Sequence, residues 1–223
     1  MRILITGGGC REYIDSVRFV TNSSTGRTSA KIADELSSKG NEITLITAES
    51  AIRPDNHSVR TLTFRTGGEL SDAIEKELAS SPYDAVIHAA AVSDFIPDTI
   101  TVGEKSMRAG KNTEKIPSGT EMTLTFKASP KIADSLRAWA RKGGKEKVKI
   151  ICFKLLNNAD ESEKDTAVSN LLARSKADMV VYNDLSKITA EEHPFKIFDG
   201  KANLCGEGKT NVELAEEIMR LLA

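Results

Sequence analysis

The chain has 223 residues, 39% of them hydrophobic and 28% charged, proportions that suit a soluble globule with a core large enough for one α/β domain. The formal net charge of -1 gives no basic field that would favour nucleic acid or a membrane surface. Three scattered cysteines and three histidines predict neither a disulfide framework nor a dedicated metal site. The chain starts without a charged leader, and no apolar run approaches the roughly 20 residues that span a bilayer. We therefore expect a cytoplasmic protein with no nucleic-acid or membrane partner.

Strand-like and helix-like segments alternate along most of the chain. Short β-branched runs predict strands at 2–6, 42–47, 85–91, 148–153 and 178–182. Amphipathic spacing predicts helices at 27–39, 70–80, 130–142, 165–175 and 211–222. Segments 195–199 and 201–204 predict a late antiparallel hairpin that turns at Asp199 and Gly200. This alternation predicts an open, mainly parallel, doubly wound (Rossmann-like) α/β sheet in a single domain, 1–223.

A segment at 99–125 interrupts the alternation. Its stretch 103–119 is rich in glycine and lysine, and it closes on an alternating strand at 121–127. A long stretch without regular structure in a compact domain is usually a lid or a linker. Lysine is a compact phosphate binder on a flexible stem, and this segment carries Lys105, Arg108, Lys111 and Lys115. We expect a flexible flap over about residues 99–120.

Two glycine-containing segments are candidate nucleotide sites. The first strand ends in three glycines, but Glu12 occupies the position of the third glycine of the dinucleotide fingerprint, and no helix starts there. Glu49, after the second strand, could bind a ribose, so an NAD(P)-dependent oxidoreductase stays an alternative. The second segment, 22–27, holds residues that favour a helix start, and Gly26 allows close backbone approach. Free N–H groups there would bind an anion, although an ordinary capped helix explains the same residues.

Several motifs along the chain resemble one family. Segment 3–29, ILITGGGCREYIDSVRFVTNSSTGRTS, is similar to the opening of the phosphopantothenoylcysteine synthetase family in its glycine pair, its Asp-x-Val-Arg-Phe segment and its Asn-x-Ser-x-Gly helix start. Segments 89–95 (AAAVSDF), 115–119 (KIPSG), 153–155 (FKL) and 181–185 (VYNDL) follow in the family's order. We expect no flavin-dependent decarboxylase domain, although one is often fused ahead of this domain in the family. The resemblance therefore implies a stand-alone phosphopantothenate–cysteine ligase.

The family resemblance implies a reaction and an assembly. The expected substrates are 4'-phosphopantothenate, L-cysteine and a nucleoside triphosphate, joined through an acyl-nucleotide with release of nucleoside monophosphate and pyrophosphate. CTP is favoured over ATP, as in bacterial relatives. Mg²⁺ is expected on the phosphate oxygens, without a dedicated protein cage or metal ligand set. The resemblance also implies a homodimer in which the partner chain completes each active site.

The resemblance also implies roles for individual residues. Asn22 would stabilise the activated acyl intermediate, and Lys115 would act from the mobile flap. Arg18 would reach across the dimer to the partner's phosphopantothenate. The remaining matches are Ala90, Ala91 and Asp94 for the pocket of the acid, and Gly8, Ser24, Gly26, Phe153 and Asn183 for the nucleotide.

Three positions depart from the family pattern. Ser29 replaces a glycine, Cys10 replaces the usual threonine, and Leu156-Asn157 replace Glu-Thr. A Cβ at position 29 could crowd close contacts to nucleotide phosphates. A diverged, non-catalytic nucleotide-binding protein is therefore a further alternative. His88, inside a predicted strand, is expected to be a buried, hydrogen-bonded histidine rather than a base.

Overall fold

The computed structural model describes residues 1–119 and 121–223. The strands in chain order are β1 Arg2–Gly7, β2 Arg11–Tyr13, β3 Phe19–Thr21, β4 Glu42–Ala48, β5 Arg60–Phe64, β6 Ala85–His88, β7 Phe95–Val102, β8 Lys105–Arg108, β9 Thr123–Ala128, β10 Lys149–Leu156, β11 Met179–Asp184, β12 Phe195–Asp199 and β13 Leu204–Gly208. The helices are α1 Arg27–Ser38, α2 Gly67–Ser80, α3 Leu136–Lys142, α4 Glu161–Ser175 and α5 Asn211–Leu222. No helix in the described ranges is long and apolar enough to cross a membrane.

The main sheet has eight strands in the order β13-β12-β11-β10-β6-β1-β4-β5. Six of them are parallel, and β12 and β13 add an antiparallel edge. β1 pairs with β4 on one side and β6 on the other, so the strand order reverses at β1. This confirms the predicted doubly wound α/β sheet with a late antiparallel hairpin. In such sheets, ligands bind at the carboxyl ends of the strands beside the reversal point.

Both faces of the sheet are covered by helices. Ile3 and Ile5 of β1 pack on the side of α1 and α5, whereas Leu4 packs on the side of α2, α3 and α4. Successive side chains of a strand point to opposite faces, so a strand buried on both faces is apolar throughout. This is why β1 reads as an uninterrupted hydrophobic run that ends at the glycines.

Several predicted boundaries differ from the structure. The segment 10–25 contains an antiparallel hairpin of β2 and β3, and β5 was not predicted. The third predicted strand ends at His88 rather than residue 91. The helix predicted at 130–142 begins as α3 only at Leu136, after a short 3₁₀ turn, Ile132–Asp134. α4 begins before residue 165, because Asp160 and Glu163 form a reciprocal capping box at its start.

The inserted segment forms a sheet of its own. β7 pairs with β8 on one side and with β9 on the other, both antiparallel. The prediction of a stretch without regular structure is therefore wrong for β7 and β8. The strand predicted at 121–127 corresponds to β9. Thr120, at the end of the predicted flap, lies outside the described residues.

Candidate active site

A cavity of about 1480 Å³ lies at the carboxyl ends of the central parallel strands. The end of β1, the start of α1, the segment after β6 and the ends of β10 and β11 all contribute to its wall. Its volume exceeds that of a usual site for one small ligand, which is roughly 300–1,000 Å³. The cavity therefore has room for two substrates side by side.

Two glycines allow the end of β1 and the start of α1 to meet at this cavity. Gly8 and Gly26 have φ angles of 80° and 76°, in the left-handed region that glycine adopts without strain. A Cβ on Gly8 would lie 2.6 Å from the Cβ of Ala48, and one on Gly26 would lie 2.7 Å from the Cβ of Ala51. Both positions therefore exclude larger residues.

The start of α1 has no side-chain cap on the helix. Gly26 is the N-cap residue, and the first turn carries no acidic residue. Among the described residues, the one side-chain oxygen that accepts a hydrogen bond from the first turn is Thr25 Oγ1, at a long 3.4 Å from Arg27 N. Unpaired N–H groups and the positive end of the helix dipole favour bound anions. The structure thus favours the anion-site interpretation of segment 22–27 over the ordinary capped helix.

Ser29 does not project freely into the cavity. Its side chain is buried, and its Oγ donates a hydrogen bond to the carbonyl oxygen of Gly26 at 2.8 Å. The side chain occupies the space next to Gly7, where a Cβ would lie 2.4 Å from the Cβ of Ser29. The serine is therefore accommodated by a glycine on β1.

The segment after β6 forms the opposite part of the wall. Ala91 N–H donates to the carbonyl oxygen of Gly8 at 2.8 Å, and Ala90 N–H donates to Thr6 Oγ1 at 3.2 Å. Asp94 follows, and its carboxylate forms an ion pair with Lys131. The amide nitrogen of Asn22 lies 3.4 Å from the carbonyl oxygen of Val92, which places Asn22 between α1 and this segment.

Phe153 and Asn183 line the cavity from the ends of two adjacent parallel strands. Phe153 is partly buried on β10, and Asn183 is nearly fully buried on β11. The amide nitrogen of Asn183 donates to the carbonyl oxygen of Pro194 at 2.8 Å, which fixes the orientation of its side chain. Asn183 therefore presents a side chain of fixed orientation to the cavity, beside Phe153 on the adjacent strand.

Burial keeps three titratable side chains of this region, His88, Cys10 and Cys152, neutral near pH 7. Burial lowers the pKa of His88 to about 4, and its Nδ1 lies 2.8 Å from Thr6 Oγ1. The expectation of a buried, hydrogen-bonded histidine is confirmed. Burial also raises the pKa of Cys10 and of Cys152 to about 12. Because a thiolate is the nucleophilic form, neither thiol is activated for attack near neutral pH.

Of the residues expected to form the site, Arg18 and Lys115 alone are not in the wall of this cavity within the described chain. Arg18 lies on the loop between β2 and β3, where it pairs with Asp15 at 2.6 Å. Lys115 is exposed in the inserted segment. All the other expected residues line the cavity: Gly8, Asn22, Ser24, Gly26, Ala90, Ala91, Asp94, Phe153 and Asn183.

The whole chain, residues 1–223, matches the DNA/pantothenate metabolism flavoprotein C-terminal domain. The chain belongs to this family. A relative, the coenzyme A biosynthesis bifunctional protein CoaBC of Thermococcus kodakarensis, is 33% identical over 86% of this chain and 43% of its own length. The chain thus spans less than half of that relative.

Solved structures show the same fold. The DNA/pantothenate metabolism flavoprotein of Streptococcus pneumoniae aligns with a TM-score of 0.86 and 30% identity, over 100% of this chain and 98% of that chain. A mutant of Cab2 in complex with phosphopantothenate-cysteine aligns with a TM-score of 0.73 and 19% identity, over 98% of this chain and 85% of that chain. The second likeness is one of fold.

In this member of the family, the cavity also contains charged residues that the sequence did not single out. These are Arg27, Lys131, Lys154, Glu163, Arg174, Glu191 and Glu192. Lys131 follows a proline in a segment predicted as plain helix, and Arg174 is one of several charged residues on α4. The positions of these residues along the chain do not indicate that they share a cavity, because only the folded sheet brings their segments together.

Glu49, the acidic residue that an NAD(P)-dependent oxidoreductase would use to bind a ribose, lies outside the described cavity wall. Glu49 binds Arg65 through two hydrogen bonds of 2.9 and 3.0 Å, and it is not part of the described cavity wall. Glu12, at the third-glycine position, is buried and accepts a hydrogen bond from Gly67 N–H at the start of α2. Neither carboxylate is part of the cavity wall in the described residues, and Glu49 is already paired with Arg65, which argues against a role for it in binding a ribose.

Proposed function

We propose that this chain is a phosphopantothenate–cysteine ligase of coenzyme A biosynthesis. The main support for this proposal is a single cavity. In it, the uncapped start of α1 meets the segment from Ala90 to Asp94, and Asn22 lies between them. The CoaBC relative is a coenzyme A biosynthesis protein by name. Cab2 shares the fold and is bound to phosphopantothenate-cysteine, so this compound is the first product to seek.

The chemistry needs little covalent participation from the protein. A carboxylate is a poor electrophile, so the carboxylate of 4'-phosphopantothenate first attacks the α-phosphorus of the triphosphate, and pyrophosphate leaves. The amine of L-cysteine then attacks the acyl carbon, the nucleoside monophosphate leaves, and the amine loses a proton. Catalysis then rests on alignment of the reactants and on neutralisation of the pyrophosphate charge.

One part of the wall would bind the nucleotide, and the other would bind the acid. The free N–H groups at the start of α1, with Gly8, Ser24 and Gly26, would hold the triphosphate. Phe153 and Asn183 would contact the rest of the nucleotide from the ends of β10 and β11. Ala90, Ala91 and Asp94 would hold the acid on the other side.

Mg²⁺ fits this site as an ion carried by the nucleotide. No group of three or more His, Cys, Asp or Glu that could hold a metal ion occurs in the described ranges. Mg²⁺ usually binds phosphate oxygens with one or two carboxylates and several waters, so it needs no protein cage here. When bound, it would neutralise charge on the departing pyrophosphate.

Asn22 has a donor available for the second step. Its amide nitrogen makes only a long contact of 3.4 Å to the carbonyl oxygen of Val92 in the described chain. The group could turn toward a carbonyl oxygen on which negative charge develops as cysteine attacks. Loss of one such preorganised donor costs about 3 kcal/mol, or roughly a hundredfold to a thousandfold in rate.

A homodimer would complete this site. Arg18 lies outside the described wall of the cavity of its own chain, and the two apolar residues that flank it in sequence, Val17 and Phe19, are exposed. The exposed apolar residues of the β2–β3 hairpin and of the inserted sheet are Val17, Phe19, Val20, Phe95, Met107 and Phe126. Exposed apolar surface of this kind marks an interaction site. A second copy of the chain would cover it and receive Arg18 in its own cavity.

CTP is the proposed nucleotide, with ATP as the alternative. The test is pyrophosphate release with each nucleotide, with and without the acid and cysteine, and detection of the product by mass. CTP should support turnover at least as fast as ATP, and turnover with ATP alone would contradict the choice of CTP. Nucleotide binding without any pyrophosphate release would favour the non-catalytic alternative, and NAD(P) binding would favour the oxidoreductase.

A further inference from the structure

A single buried carboxylate joins the β2–β3 loop to the inserted segment. Asp15 is fully buried, and its Oδ1 accepts hydrogen bonds from the N–H groups of Val17 and Arg18, at 2.9 and 2.7 Å. Its Oδ2 accepts from Arg18 Nε at 2.9 Å and from Ile116 N–H at 3.2 Å. Arg18 Nη2 in turn donates to the carbonyl oxygen of Ile116 at 2.7 Å. Ile116 is thus held at both its N–H and its C=O.

These contacts keep Asp15 ionised. Burial alone would raise the pKa of its carboxyl group, but the hydrogen bonds from Val17, Arg18 and Ile116 bring the pKa well below its usual value. Arg18 still offers its Nη1 group, which has no hydrogen-bond partner within the described residues. A guanidinium with two free N–H donors suits a phosphate or carboxylate of a ligand.

Further bonds attach the inserted segment to the same loop. Ser16 N–H donates to the carbonyl oxygen of Thr113 at 2.8 Å, and Gly110 N–H donates to the carbonyl oxygen of Ile14 at 3.0 Å. Lys115 directly precedes Ile116, so its Cα lies about 3.8 Å from the Cα of a residue that is hydrogen-bonded to Asp15. A large displacement of the Lys115 backbone relative to the β2–β3 loop would require these bonds to break.

We propose that Asp15 is a positioning residue that joins Arg18 and the Lys115-bearing segment into one unit, which enters the active site of the partner subunit. Asp15 does not touch substrate; it sets the positions of the two cations. This inference rests on the proposed ligase and its shared active site. It adds that Lys115 acts in the same subunit's site as Arg18, and that both depend on one carboxylate.

Mixed dimers test whether Arg18 and Lys115 act in the same site. In dimers of Arg18→Ala with Asn22→Ala chains, one site of each mixed dimer is intact, so about a quarter of wild-type activity should return after random exchange. In dimers of Arg18→Ala with Lys115→Ala chains, each site lacks one of the two cations if both come from the partner. We therefore expect no recovery with this second mixture.

Recovery of activity in the two mixtures distinguishes a Lys115 that acts in its own chain from one that acts in the partner. Recovery in the second mixture that equals the first would show that Lys115 acts in its own chain and would overturn the proposal. If the first mixture fails although mass spectrometry shows subunit exchange, both the shared site and the inference fall. Turnover by the unaltered protein tests the ligase activity separately, so failure of the inference and failure of the proposed function are distinguishable.

The role of Asp15 has a second test. Asp15→Asn should lower kcat/KM at least about tenfold, yet reduce activity less than about threefold further in an Arg18→Ala/Lys115→Ala background, where both cations that it positions are absent and no further effect through them remains. Hydrogen exchange should show faster exchange of Ile116 N–H in Asp15→Asn, with an unchanged dimer mass. Full additivity of Asp15→Asn with the Arg18→Ala/Lys115→Ala pair would overturn the positioning role. The mixed-dimer test contains no Asp15 variant, so it stands even if Asp15→Asn does not fold.

Discussion

Ser29 occupies the space that a side chain on Gly7 would need: a Cβ on Gly7 would lie 1.8 Å from Ser29 Oγ. Position 29 departs from the family pattern, and the structure shows how the extra atoms are held. The Oγ donates to Gly26 O at 2.8 Å, so the serine also ties the first turn of α1 to its N-cap residue. The departure is therefore compatible with an intact anion site at the start of α1.

This packing predicts that Gly7→Ala destabilises the protein and that Ser29→Gly compensates for it. Gly7→Ala should lower the free energy of unfolding by about 1–3 kcal/mol, because overpacking displaces Ser29 or the start of α1. In Gly7→Ala/Ser29→Gly the new Cβ would have Thr47 Oγ1 at 3.8 Å as its nearest remaining neighbour, an ordinary contact. The double variant should therefore recover most of the loss.

Urea unfolding of the four proteins in this cycle measures the coupling. Gly40→Ala is unsuitable as a control, because Gly40 has a φ of 82°. Gly68→Ala is the better control, since its Cβ would lie 3.8 Å from Thr66 Oγ1 and meet nothing closer. Additive effects of the Gly7 and Ser29 substitutions would contradict the proposed packing.

The sequence predicts the sheet well because its strands are buried on both faces. The hydrophobic runs of β1, β4 and β11 are visible without any knowledge of the fold. β5 was missed because its residues, RTLTF, are mostly exposed and lie at the sheet edge. The hairpin of β2 and β3 was missed because it is short and pairs outside the main sheet.

The candidate site was predictable only in part. The conformations of Gly8 and Gly26 agree with the glycines that the sequence singles out. The Lys131–Asp94 ion pair and the hydrogen bond from Ile116 N–H to Asp15 Oδ2 each join residues that are far apart in sequence. Neither contact leaves a local pattern, because each depends on how loops at the ends of different strands meet.

Lys131 should influence the binding of the anionic acid. Its ion pair with Asp94 places a positive charge beside the proposed pocket of 4'-phosphopantothenate. Lys131→Met would leave Asp94 uncompensated, so the KM for the acid should rise roughly two- to fivefold, the range expected for an exposed ion pair. Lys131→Arg should keep most of the affinity.

Steady-state kinetics with the acid varied, at low and at high salt, measure this effect. Lys142→Met is a matched control, because Lys142 pairs with Glu75 at 2.9 Å and is not in the described cavity wall. High salt should reduce the difference between Lys131→Met and the unaltered protein. A lower KM for the acid in Lys131→Met would show that the lysine obstructs the pocket.

His88 should make the protein less stable in mild acid. Burial lowers its native pKa to about 4, whereas the unfolded chain has the ordinary value of 6.5. Between these values the unfolded chain binds a proton that the native protein does not, so stability falls as the pH drops from 6.5 to 4. The full cost of this shift is about 3 kcal/mol.

The measurement is urea unfolding of the unaltered protein and of His88→Asn at pH 7.5 and 4.5. Asparagine can keep a polar contact to Thr6 Oγ1 but does not titrate. The loss of stability on acidification should be smaller in His88→Asn, and the contributions of the acidic residues cancel in the comparison. Equal losses in both proteins would mean that His88 is not the titrating group.

Asn22 and Lys115 should affect different half-reactions of the proposed ligase. Asn22→Asp is nearly isosteric but replaces a donor with an anion, which would repel the oxyanion that forms when cysteine attacks. This variant should still form the acyl-nucleotide but transfer it to cysteine very slowly, so that the intermediate accumulates. Lys115→Gln keeps most of the side-chain length and removes the charge that would offset pyrophosphate. It should lose rate at or before activation and accumulate nothing.

Single-turnover quench with labelled nucleotide shows which species accumulates in each variant. Lys105→Gln is the matched control for Lys115→Gln, since Lys105 is an exposed lysine of the same inserted segment, on β8. If Asn22→Asp blocks pyrophosphate release while Lys115→Gln leaves it unchanged, the two roles are reversed. If neither variant changes either step by more than a few-fold, the two residues do not act as the family resemblance implies. Accumulation in Asn22→Asp alone would indicate that the Asn22 amide donates to the oxygen of the carbonyl group that cysteine attacks, between the start of α1 and Val92.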